Sequence, residues 1–216
     1  MQTQEKIAIE KQTQAEKRYY TPEEYLALEE AAIEKSEYHD GEIIPMTGGT
    51  TNHNKLAGNF YKKFPPTVNG QDYEIFINDV RLWISQNRRY FYPDIMVIQE
   101  QPVYQGSNKT VVTNPLLIIE ILSKSTKDYD RGGKFLFYRS IPEFREYILI
   151  DQYSYHIEQF AKKSNGKWEL TEYDSEESIL TLESLEFQIP LREIYARIDF
   201  EVKTEEQHEP TSEIKE

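Results

Sequence analysis

An apolar run from Leu116 to Leu122 is broken by one residue, Glu120. A stretch of that length, rich in Ile and Leu, predicts a strand covered on both faces. Ser123, Ser125 and Thr126 follow and suit the start of a helix from about Lys127 to Arg139, which carries Asp128, Lys134 and Tyr138. Two further helices are signalled. Thr21-Pro22-Glu23-Glu24 puts Thr at the cap, Pro at the first position and Glu three residues on, predicting a helix from Pro22 to about Ala32. Leu56, Phe60 and Phe64 form one stripe of a helix from about Thr51 to Phe64, entered through a Gly-rich loop and holding His53 in its first turn.

Strand patterns fill the remainder. Asp40-Gly41 marks a tight turn before a strand from Glu42 to Met46. Residues 73–77, 80–85 and 90–98 are rich in aromatic and β-branched residues, with a turn over 86–89. Residues 99–114 read as an exposed loop, and 146–151 as a second buried strand. Residues 155–163, 167–174 and 178–182 form an antiparallel meander, and Leu191–Ile198 a closing helix. The order predicts an α/β (α+β) domain over about 20–200, a mixed central sheet flanked by helices with an added C-terminal meander. A polar extension (1–19) precedes it, and an acidic disordered tail (201–216) follows.

Composition narrows the chemistry. There is no cysteine, which excludes disulfides, thiolate catalysis and Cys-ligated zinc. The polar N-terminus lacks the apolar core of a signal peptide, and no run approaches a membrane span, so a cytoplasmic protein without a membrane partner is expected. A net charge of −13 argues against a generic nucleic-acid coating protein. From Glu120 to Tyr147, however, six basic residues stand against five acidic ones, leaving room for a phosphate-bearing substrate.

Three acids, Glu37, Asp94 and Glu120, sit where the chain is otherwise apolar or tightly turned. Asp94 heads a predicted buried strand and Glu120 lies inside another. Two carboxylates on neighbouring strands can share a hard divalent cation, and Mg²⁺ takes only one or two protein carboxylates while keeping its waters. Lys134 on the helix packed behind Glu120 could offset phosphate charge, although a buried Glu–Lys pair also suits a structural salt bridge. GxGxxG, GxxxxGK[ST] and GxSxG are absent, and no HxH or HxxxH pair favours zinc.

Together, Glu37-x-x-Asp40-Gly41-Glu42, Pro93-Asp94, Glu120-Ile121-Leu122-Ser123-Lys124-Ser125-Thr126 and Asp130-Arg131-Gly132-x-Lys134 resemble the bacterial "Uma two" family of restriction-endonuclease-like proteins. Tyr138 and the EYILID strand, with Tyr147 and Asp151, extend the likeness over about Tyr20 to Ile198. That family lies within the PD-(D/E)XK nuclease-like superfamily, whose core is a four-stranded mixed sheet flanked by helices. The resemblance implies Mg²⁺- or Mn²⁺-dependent endonuclease hydrolysis of phosphodiester bonds in DNA. Asp94 and Glu120 would be the metal carboxylates, with Glu37 contributed from the first helical region. The superfamily lysine belongs two residues after the second carboxylate, where this chain has Leu122, and Lys134 would stand in for it. Ser123, His53 and Tyr138 would support the site. A homodimer would suit cleavage of both strands of a duplex. The alternative is a catalytically inactive nuclease-fold binding or assembly protein, which the acidic balance and Leu122 favour.

Overall fold

The computed structural model describes residues 18–200, so the predicted acidic tail and all but the last two residues of the N-terminal extension lie outside the described residues. Helix α1 (Pro22–Ala31) starts where its capping box places it: Thr21 Oγ1 accepts from the Glu24 N–H at 3.1 Å and Glu24 Oε2 from the Thr21 N–H at 2.8 Å. Strands β1 (Ser36–His39) and β2 (Glu42–Pro45) flank the Asp40-Gly41 turn. Helix α2 (Thr51–Lys63) is capped by the Thr50 hydroxyl and stops before Pro65-Pro66; Leu56, Ala57 and Phe60 are its buried residues.

Next come β3 (Thr67–Val68), β4 (Gln71–Ile77), β5 (Arg81–Ile84), β6 (Arg89–Phe91), β7 (Ile95–Gln99), β8 (Val111–Val112) and β9 (Leu117–Leu122). Two expectations need correction here. The stretch 90–98 is not one strand: Tyr92-Pro93-Asp94 divides it into β6 and β7, which belong to different sheets, because the proline cannot donate to a ladder. Residues 99–114 are not wholly an exposed loop, since Val111 and Val112 are buried and pair in parallel with β5.

The segment after β9 is helical but not a uniform α-helix. It runs as α3 (Lys127–Tyr129), a π turn (Asp130–Lys134) and α4 (Phe135–Tyr138). Ser123 Oγ accepts from the Thr126 N–H at 3.2 Å at its start. Strands β10 (Glu146–Asp151), β11 (Ile157–Lys162) and β12 (Trp168–Tyr173) follow, then β13 (Ile179–Leu182), β14 (Phe187–Pro190) and α5 (Leu191–Ile194). The meander is shorter than expected: β13 leaves it to form a separate hairpin with β14, a strand the sequence reading missed.

The main sheet has the order β12-β11-β10-β9-β7-β4-β3; β9 and β10 are parallel and the other pairs antiparallel. A second sheet, β2-β1-β6-β5-β8, lies apart from it. Side chains alternate across the main sheet with period two. Leu117, Ile119 and Ile121 join Leu56, Phe60 and the C-terminal hairpin in one core, while Ile118 and Leu122 join Phe135, Tyr138 and Leu82 in another. A third cluster, Tyr25, Tyr38, Tyr90 and Val111, seats α1 on the second sheet. Leu122 is buried in the second core, so in this chain the strand position two beyond Glu120 supplies packing and not charge.

Candidate active site

On β9 the alternation puts Glu120 on the same face as Ile118 and Leu122, beneath the helical segment. Strand β7 pairs antiparallel with β9, with Ile95 opposite Ile119 and Met96 opposite Ile118; continued by one position, that register sets Asp94 opposite Glu120. Asp94 ends the ladder itself, since its Oδ2 accepts the Ile121 backbone N–H at 2.7 Å. His53, in the first turn of α2, brings Nε2 to 3.1 Å from the same oxygen.

The helical segment delivers the cation. Lys134 Nζ donates to Glu120 Oε1 at 3.1 Å and lies 3.2 Å from Asp130 Oδ1 and 3.8 Å from Glu37 Oε1. Tyr138 Oη donates to Glu120 Oε1 at 2.7 Å, and Tyr147 Oη to the Asp130 carbonyl at 3.0 Å, satisfying backbone within the π turn. Gly133 is needed there because the Tyr129 ring lies against it: a Cβ at Gly133 would fall 2.4 Å from the Tyr129 ring.

Glu37 corrects an expectation. It does not come from the first helical region but from β1, on the second sheet, and it is buried. Its Oε2 pairs with His39 Nε2 at 3.0 Å, and the His39 ring contacts Phe91 and Tyr129. Burial would raise the Glu37 carboxyl, but the charge of Lys134 and the His39 hydrogen bond outweigh it and hold that carboxyl below the usual range. Burial pushes the Glu120 carboxyl up to about 8; Lys134 pulls the other way, and Asp94 and Asp130 add to the rise. Burial opposes the Lys134 charge too, yet Glu120, Glu37 and Asp130 keep the ammonium well above its ordinary value. One positive charge is thus shared among three carboxylates, and the cluster keeps surplus negative charge.

These groups open onto a cavity of about 410 Å³. Its acidic end holds Glu37, Asp94, Glu120 and Asp130 beside Lys134, and its apolar wall includes Ile44, Pro45 and Met46. A neighbouring cavity of about 780 Å³ shares His53, Tyr92, Asp94 and the 46–49 segment with it. All four acid and lysine positions singled out from sequence, Glu37, Asp94, Glu120 and Lys134, meet in this cavity. Of the supporting positions, His53 and Ser123 line it and Tyr138 reaches it through Glu120. His39, Asp130 and Tyr129 were missed. His39 stands two residues from Glu37, the spacing that puts both on one face of a strand, and Asp130 is four residues before Lys134, the spacing of helix neighbours. The Gly132-Gly133 pair inside a helical pattern was the signal of a close approach by Tyr129.

The donor set suits a hard divalent cation. Asp94 and Glu120 offer oxygen ligands, and Asp130 Oδ1 is a buried atom without a hydrogen bond although Lys134 stands beside it. Among the described residues no group of three or more His, Asp and Glu is arranged to hold an ion alone. Two carboxylates do not supply the ligands of a closed tetrahedral zinc centre. Among the same residues no helix is long and apolar enough to cross a membrane.

A family model described as "Uma2: Putative restriction endonuclease" matches residues 22–192. Two uncharacterized proteins of Synechocystis sp. are similar to the chain. The first, sll1609, is 48% identical over 152 residues, covering 70% of this chain and 86% of that protein. The second, slr1290, is 35% identical over 180 residues, covering 83% and 93% respectively. A solved structure titled a "putative nuclease belonging to DUF820 from Anabaena variabilis ATCC 29413" superposes with a TM-score of 0.60 at 16% identity, over 82% of this chain and 97% of that one. That likeness establishes a shared fold.

Proposed function

We propose, from the premise that this chain belongs to the Uma2 family, that it is an endonuclease hydrolysing phosphodiester bonds in DNA with the help of Mg²⁺ or Mn²⁺. The observation that carries the reading is that Asp94 and Glu120 line one cavity, with Lys134 3.1 Å from Glu120. Asp94 and Glu120 would hold the ion, which when bound would supply positive charge for a phosphoryl oxygen and lower the pKa of water.

The chain's own residues prepare that chemistry. The Ile121 N–H and His53 fix the Asp94 carboxylate, and Tyr138 and Lys134 fix that of Glu120, so neither must reorganise when charge develops. Lys134 balances part of the acidic charge and would face the phosphate or its attacking water; Glu37 and Asp130 keep its ammonium charged at neutral pH. His39, two residues along the same strand, pairs with Glu37, and the Tyr129 ring of the helical segment packs on His39.

The test is incubation of pure protein with plasmid and single-stranded DNA in Mg²⁺ or Mn²⁺, beside a Glu120→Ala control. Cleavage that the variant loses supports the reading; equal cleavage by both proteins overturns it. Calorimetric titration with Mn²⁺ addresses the alternative of a binding protein without turnover. Failure to bind at millimolar ion, with no change in melting temperature, would favour that alternative.

A further inference from the structure

We infer that the substrate engages as an unpaired strand, with one nucleobase in the 410 Å³ cavity against Tyr129 and Ile44, and not as an intact duplex. This rests on the nuclease reading above and names the form of DNA that the site takes. The first ground is size and shape. A cavity of that volume matches a single small-molecule unit, and it is lined by Glu37 and Ile44 of the second sheet and by Glu120 of the main sheet. A nucleobase can fill a pocket of that size only after its nucleotide leaves the stack.

The second ground is the lining. Tyr129 and Ile44 are among the large apolar side chains left exposed, at 36% and 38%, and both line this cavity. The Tyr129 ring is fixed by its contact with Gly133 and by His39, so its outer surface is a rigid flat element beside Asp130 and Lys134. Bases stack on such rings irrespective of sequence. The shared lining of Tyr92, Asp94 and His53 lets a strand continue past Asp94 into the larger cavity, where Ile33 is fully exposed and Lys35 stands beside Asp79.

The third ground is charge. Duplex DNA presents about one negative charge per 1.7 Å of axis, a denser array than a single strand. A protein of net charge −13 repels the duplex more strongly.

Fluorescence anisotropy in EDTA with a labelled single strand and the matching duplex tests this, run beside cleavage of both in Mg²⁺ and repeated with Tyr129→Ala and Tyr129→Phe. The expected result is at least about tenfold tighter binding and faster cleavage of the single strand, a roughly tenfold loss with Tyr129→Ala and retention with Tyr129→Phe, matching one lost stacking contact. Equal or stronger action on duplex, or an indifferent Tyr129→Ala that melts like the parent, overturns the inference while leaving the nuclease reading intact. Selective single-strand binding without any cleavage does the reverse. A protein that neither binds nor cleaves either form overturns both.

Discussion

Glu120 and Glu146 are both buried carboxylates, on the adjacent parallel strands β9 and β10, and they are held in opposite ways. Glu146 is enclosed by neutral donors: Gln159 Nε2, the Glu183 N–H at 3.0 Å, the Ser184 N–H at 2.9 Å and the Ser184 hydroxyl. These contacts pin the turn between β13 and β14 to the main sheet, and Glu146 lines none of the cavities described above. Glu120 instead shares one lysine with two other acids and opens on a cavity. Burial by itself therefore does not mark a functional acid. What distinguishes Glu120 is that burial and the nearby Asp94 and Asp130 disfavour its charged form more than Lys134 favours it, a balance that a bound cation would reverse.

The sharpest way to break this contrast is at Glu146. Glu146→Leu should cost at least about 3 kcal/mol in urea unfolding, because several buried donors lose their acceptor at once. Cleavage per folded molecule should stay unchanged; a selective fall in turnover would erase the distinction. Glu120→Gln should do the converse, lowering DNA cleavage by about 10²-fold, or roughly 2.7 kcal/mol, while its urea midpoint stays near the parent's. A collapse in stability as large as that of Glu146→Leu would show Glu120 to be a structural ion-pair partner.

A smaller effect concerns pH. The folded-state pKa of Glu120 is raised to about 8, chiefly by burial. Its contribution to stability is then full below the ordinary carboxylate value and lost as pH rises through about 8. Melting temperatures in EDTA should decline across that interval, and Glu120→Gln should flatten the decline. Smallest is Gly133→Ala: displacement of the Tyr129 ring should cost about 1 kcal/mol in stability and alter tyrosine fluorescence more than it alters unfolding.

Much of this was legible from the chain because its signals are local. The Thr21-Pro22 capping box, the Thr50 start of α2 and the run Leu117–Leu122 depend on neighbours in sequence, and they form where the pattern puts them. Asp94 and Glu120 stood out for the same reason, as acids in apolar surroundings. Glu37 was misplaced although the Asp40-Gly41 turn pairs its strand with β2; what the local sequence does not announce is the further pairing of β1 with β6, some fifty residues later, which carries it into the second sheet. The division of 90–98 between two sheets was hidden because the aromatic residues of β6 and the aliphatic ones of β7 both suit a strand, although Pro93 marked the break. The reach of Lys134 could be guessed only as a position along a helix; its meeting with Glu37 depends on how two separate sheets pack.

The π turn at Asp130–Lys134 also carries a consequence for descent. A π turn holds one residue more than the α-helical turn it replaces, so deleting a single glycine from Gly132-Gly133 would let the turn close to α geometry while the later side chains of the segment keep their places. Tyr138 would then keep its place on Glu120, and only the spacing from Asp130 to Lys134 would change. A homologue bearing its lysine on the strand, two places beyond the glutamate, has no need of that extra residue, and the two arrangements should be mutually exclusive among relatives.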